Sequence, residues 1–152
     1  MPSSDPGSNV SHWPELPSLS EWQETRDTLH LWSQIIGKIR LENMPWVNHS
    51  WHVTLYVSST GLTTSLIPHP AGGFEIAFNF LKHRLELRSV DGQEVSFDLE
   101  PLSVAEFYHQ TMDGLRKLGV ATQIYSKPVE IPDPILAFEE DTVHTTYERE
   151  PV

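Results

Sequence analysis

Apolar and polar positions alternate along this chain with two different periods, and each period predicts its own kind of element. Between Leu19 and Arg40, the residues Trp22, Thr25, Leu29, Trp32, Ile36 and Ile39 recur every three or four positions. That spacing places them on one side of a long helix, which is its predicted core face. Ser18 and Glu21 stand three apart just ahead of it, as in a capping box. Gly37 is a point at which the helix can stop early. The opposite side carries Gln34 and Lys38, but also Leu31 and Ile35, two aliphatic residues that a fully solvated face does not need.

From Trp51 the period changes to two. Trp51, Val53, Leu55 and Val57 point one way along a predicted strand, and His52, Thr54 and Tyr56 point the other. Ser59–Gly61 turns the chain, and Leu62–Ile67 is expected to return antiparallel. After a loop over Pro68–Gly73, Phe74, Ile76, Phe78 and Phe80 alternate with Glu75, Ala77 and Asn79. His83–Val90 and Glu94–Leu99 form two more strands around Asp91-Gly92, a hairpin signal because both residues tolerate positive φ. A second helix is predicted over Val104–Leu118, with Ser103 and Glu106 as its capping box and Leu102 with Phe107 as a hydrophobic staple. Gly119 is its stop. Val120–Tyr125 reads as a last short strand. Lys127–Ile135 holds prolines that cannot sit in a central strand, so it runs extended at an edge or over the surface.

Helix, five strands, helix, strand, joined by short turns, is the order of an α+β domain. It predicts a mainly antiparallel sheet of five to six strands with both helices on one face. A half-open barrel around the long helix is the alternative. Residues 1–17 are expected to form a disordered or extended Ser- and Pro-rich arm anchored by Trp13, 18–135 the single α+β domain, and 136–152 an acidic tail. That tail, with few anchors beyond Phe138 and Tyr147, is expected to be mobile or to dock on another chain.

Composition narrows the function. The 152 residues carry a net charge of −11, and the span from Glu130 to the end holds seven acids against Arg149 alone. No stripe of Lys and Arg exists to meet phosphates, so nucleic acid is not an expected partner, nor is an anionic membrane. There is no cysteine, which excludes disulfides, thiolate catalysis and cysteine metal sites. No apolar run is long enough to span a bilayer and no signal pattern opens the chain, so a cytoplasmic protein is expected.

Candidate chemistry concentrates between Gly37 and Pro68. Asn48, His49, Trp51, His52 and Tyr56 are the expected ligand-binding residues, with His52 and Tyr56 as the candidate catalytic pair. A histidine beside a carboxylate such as Glu75 can act as a base, and a tyrosine can donate a proton. His49 and His52 lack a third ligand, and on a strand they would face opposite sides, so no metal and no cofactor are expected. The row His30, Gln34 and Lys38 is read as solvated or partner-facing, against the alternative that it lines a pocket with Asn48 and His49. Most of the five tryptophans are expected in the core, with Trp46 exposed.

The segments TLHLWSQIIGKIRL (28–41), VNHSWHVTLYV (47–57), GLTTSLIP (61–68), FEIAFNFLKHRLEL (74–87), SVAEFY (103–108) and PVEIPDPI (128–135) resemble, in this order, a bacterial family known as domain of unknown function 5996. The resemblance implies no activity. It does imply that this chain corresponds to the N-terminal half of longer members, whose second half repeats a helix and a histidine-bearing strand. A partner copy would then cover Leu31 and Ile35, the expected interface of a homodimer. Two functions are consistent with these residues: a small-molecule-binding domain or enzyme with its pocket around Asn48–Tyr56, and a non-enzymatic homodimeric interaction module using the same surface.

Overall fold

The computed structural model describes residues 15–70, 72–132 and 134–152. Trp13 and most of the proline-rich arm lie outside these residues; Glu15–Pro17 are exposed. Helix α1 (Gln23–Asn43) is followed by β1 (Tyr56–Ser58), β2 (Gly61–Thr63), β3 (Phe74–Asn79), β4 (Arg84–Ser89) and β5 (Glu94–Asp98), and then by helix α2 (Val104–Lys117). The five strands form one open antiparallel sheet in the order β1-β2-β3-β4-β5. With β1 and β5 unpaired to each other, the sheet is the two-layer α+β arrangement rather than a barrel.

Register explains which face is buried. Leu62, Phe78, Leu85 and Phe97 stand side by side across β2–β5, as do Ile76, Leu87 and Val95 across β3–β5. Partners in an antiparallel ladder share a face, so these rows make one apolar surface, and both helices lie on it. Phe107 of α2 stacks on Trp32 of α1 at 4.6 Å between ring centres and on Phe78 of β3 at 6.0 Å. Gly114 lets α2 come close to the sheet: a Cβ there would lie 3.2 Å from a methyl of Leu87. The other face carries a charged ladder, with Arg88 bonded to both Glu86 and Glu94 and Arg84 paired with Asp98 at 3.1 Å.

Several local expectations are met in atomic detail. Ser103 Oγ accepts the Glu106 amide and Glu106 accepts the Ser103 amide at 2.8 Å, so the α2 capping box is complete. Gly119 (φ 75°) ends that helix and Gly92 (φ 89°) turns the β4–β5 hairpin.

Others are corrected. At α1 only half of the expected box forms: the Ser18 amide reaches Glu21 at 2.7 Å, but the Ser18 hydroxyl meets Ser20 instead. Gly37 does not stop the helix, which continues to Asn43. Val120–Tyr125 forms no strand. Leu31 and Ile35, expected at an interface, are 2% and 0% exposed within this chain's own core. The buried side of α1 runs from Leu31 through Trp32 to Arg40, about half the circumference at 100° per residue, so the stripe read from the sequence was too narrow. Those two residues therefore offer no surface to a second copy.

The acidic stretch 136–152 is also packed, not free. Phe138, Asp141 and Tyr147 are buried. The carbonyls of Asp141 and His144 accept the first-turn amides of Ala105 and Val104, which the capping box leaves unsatisfied. Tyr147 stacks on Trp32 at 5.5 Å and bonds His83 Nδ1 at 2.8 Å, and burial pushes its phenol up to about 12. A helix needing donors satisfied and an aromatic ring needing cover hold the stretch in place despite its charge.

Phe107→Ala should destabilise the domain by about 3–5 kcal/mol, because it empties the contact shared by both helices and the sheet. Urea denaturation at pH 7 measures this. A cost under about 1 kcal/mol would show that the two layers do not depend on that ring.

Candidate functional site

The segment expected to hold the site does not fold as a strand. Asn48–Val53 form two 3-10 turns joined at His49 and Ser50, whose φ angles of 57° and 58° are left-handed. Non-glycine residues in that region carry strain of about 1 kcal/mol each. A cation fixes this path. Arg40, 1% exposed, leaves α1 and donates Nε–H to the His52 carbonyl at 2.7 Å and an NH1 proton to the Thr64 carbonyl, with its guanidinium carbon 5.1 Å from the centre of the Tyr56 ring. The His52 carbonyl thus serves a side chain instead of a ladder, and strand pairing begins only at Tyr56.

This scatters the five expected ligand residues. Asn48, His49, Trp51 and Tyr56 are exposed, whereas His52 is 3% exposed. His52 Nδ1 accepts the Val47 amide at 3.2 Å and its ring lies 5.1 Å from that of Trp46. It holds the turn from within, while His49 lies at the surface. Nor does the expected carboxylate reach it: Glu75 accepts from Thr63 at 2.5 Å, and Asn79 bonds Glu86 at 3.1 Å. Among the described residues no three histidine or acidic side chains group as metal ligands. Trp46 is 69% exposed, as expected, but so is Trp51 at 67%.

The polar row on α1 is where the structure brings functional groups together. Gln34 and Lys38 are half-buried against the chain's own irregular segment 125–130, whereas His30 is exposed, in line with the solvated reading. Gln34 Nε2 donates to the Val129 carbonyl at 2.8 Å while its Oε1 accepts the Val129 amide at 2.9 Å. His30 Nε2 lies 3.2 Å from the same Gln34 nitrogen. One turn on, the Lys38 ammonium sits 5.1 Å from the centre of the Tyr125 ring. The clamp leaves a groove of about 390 Å³ between three elements. Its walls are Gln34, Gly37, Lys38 and Leu41 from α1, Ser50 and Val53 from the turn, and Val129 and Glu130 from the clamped segment.

Lys38 is half-buried, and loss of water around it lowers its pKa from the ordinary lysine value. Among the described residues no carboxylate lies within ion-pair distance of it, whereas Arg26, Arg84, Arg88 and Arg116 are all paired. Two wall residues, Ser50 and Glu130, have left-handed φ values of 58° and 56°. Strained backbone, a partly desolvated cation and apolar walls in one concavity are the physical marks of a binding site.

A second groove of about 360 Å³ opens on the other side of His30, with Leu29, Leu62 and Phe80 among its walls. Its cation, Arg26, is already paired with Asp27 at 2.8 Å.

The model of a family of unknown function, DUF5996, matches residues 13–152. The chain belongs to that family. No curated protein and no solved structure matched the chain. The DUF5996 match spans both walls of the Lys38 groove, from α1 to the clamped segment. From the sequence the α1 row reads as solvated or partner-facing and the 48–56 stretch as the candidate site, and neither reading reaches Val129 and Glu130. The available signal was the pairing itself: polar residues four apart on a helix, and a proline-bounded segment whose amides need partners that no sheet supplies.

Gln34→Ala should free the 125–130 segment without unfolding the domain. Removing two hydrogen bonds to the Val129 backbone should speed exchange of its amide proton by about tenfold. Hydrogen exchange followed by NMR tests this, and an unchanged rate would mean that Gln34 does not hold the segment.

Proposed function

We propose that this domain binds a small molecule in the groove beneath residues 125–130. The observation that carries the reading is Lys38, a half-buried cation without a carboxylate partner among the described residues, in a concavity walled by Leu41, Val53 and Val129. Burying part of a charge costs free energy that a bound partner can offset. The groove volume falls in the range used by small-molecule sites. It also keeps part of the expected stretch in play, through Ser50 and Val53, while His52 serves to hold the turn. A cytoplasmic, bacterial setting is part of this proposal; among the described residues no helix is long and apolar enough to cross a membrane. Titration of the labelled protein with a fragment mixture of acids, amines and neutral compounds should shift the Gln34 side-chain amide and the amides of Ser50 and Val129. Shifts confined to other surfaces would sink the proposal.

The second reading is a homodimeric interaction module using the 46–57 surface. Trp46, Val47, Trp51, Tyr56 and Val57 are 69%, 47%, 67%, 48% and 87% exposed, a density of apolar side chains that marks contact surfaces. The unpaired edge of β1 lies within the same stretch. Sedimentation at about 100 μM should then give a dimer burying more than roughly 1,000 Å², and Trp51→Glu should return it to monomer. A monomeric wild type at that concentration removes this reading.

A further inference from the structure

The charges around the groove narrow what can lie in it. Among the described residues Lys38 is the one cation on its walls, and Ser50, on the facing turn, brings a hydroxyl. Gln34 is largely engaged, at both ends of its amide by the Val129 backbone and at its nitrogen also by His30 at 3.2 Å. Glu130 also lines the groove, beyond ion-pair distance from Lys38. One cation and one neutral donor match the two oxygens of a carboxylate, and a carboxylate on an ammonium makes a charge-assisted bond stronger than a neutral one. A dianion such as a phosphate monoester would bring a second charge toward Glu130, in a protein whose net charge is already −11. The remaining walls, Leu41, Val53 and Val129, suit an apolar body.

We infer that the groove takes a monocarboxylate with an apolar body, its carboxylate set on Lys38 and its chain along Leu41 and Val53. This rests on the reading of the groove as a ligand site. The ring of Tyr125 holds the ammonium from one side and leaves its remaining hydrogens for an acceptor. Desolvation lowers the Lys38 pKa, and an anion beside it would favour the charged form.

Three probes of equal length and different charge test the inference: octanoate, octanol and octylamine, titrated into the full chain and followed on the Ser50 and Val129 amides by NMR. Octanoate should bind about tenfold more tightly than octanol, the discrimination expected of one charge-assisted bond, and octylamine should be the weakest. Lys38→Met, similar in length and uncharged, should erase the octanoate advantage and leave octanol unchanged, whereas Lys38→Arg should keep the preference. Equal binding of all three overturns the carboxylate assignment and leaves the groove as a ligand site. Preference for octylamine overturns it in favour of Glu130 as the anchor. Octanoate binding that survives Lys38→Met overturns it as well. A lack of response to all three overturns the assignment, and the fragment titration described above decides separately whether the groove reading falls with it.

Discussion

Three nearly parallel rings hold this domain together. Phe107 lies between Trp32 and Phe78, with interplanar angles of 6° and 3°, so one side chain of α2 joins the other helix to the middle of the sheet. Tyr147 extends the stack beyond Trp32. Aromatic contacts of this kind contribute beyond the area they bury, and here they link four parts of the chain that are distant in sequence. The two-layer arrangement, the closing of the C-terminal segment and the orientation of α1 all follow from where these rings meet.

Because α1 is fixed by that stack, its remaining faces are fixed too. The side that carries His30, Gln34 and Lys38 looks away from the sheet, and an amphipathic helix would ordinarily present such a row to water. The chain instead returns after α2 without regular structure, and its amides need partners. Gln34 supplies a donor and an acceptor in the geometry of a peptide group, standing in for a neighbouring strand at Val129. The groove beside Lys38 is what remains when a helix and an irregular segment meet at Gln34 and Lys38 rather than pack along their length.

Much of the frame was legible in the sequence. Helix α2 with its capping box, strands β3–β5, the Asp91-Gly92 turn and the stop at Gly119 all carry local signals of period or turn chemistry, and all are found. The stretch 48–53 was misread because Trp51, Val53 and Leu55 alternate like a strand; nothing local reveals that Arg40, twelve residues earlier, takes the His52 carbonyl. Composition hid the docking of residues 136–152, since charge excess says nothing of the unsatisfied amides at the start of α2 that need those carbonyls. Leu31 and Ile35 looked like a second face because a helix flanked on several sides buries a wider arc than one lying on a sheet alone. The row His30, Gln34 and Lys38 was visible in the sequence but read as solvated or partner-facing, because the segment that covers Gln34 reaches it through a tertiary contact across ninety-five residues.

Arg40 also bears on the order in which the molecule assembles. Among the described residues no carboxylate pairs with its guanidinium, which is held by two backbone carbonyls 12 and 24 residues downstream and by the ring of Tyr56. Until the 52–64 segment has reached its final place, burial of α1 at this end would strand a bare cation, at a cost of several kcal/mol. The two steps are therefore coupled: the end of the helix and the first hairpin must dock together, and a chain that has collapsed around its apolar stripe alone is held back from the native state. A single charge thereby acts as a proofreading step in folding, favouring conformations in which the 48–53 turn has its correct path.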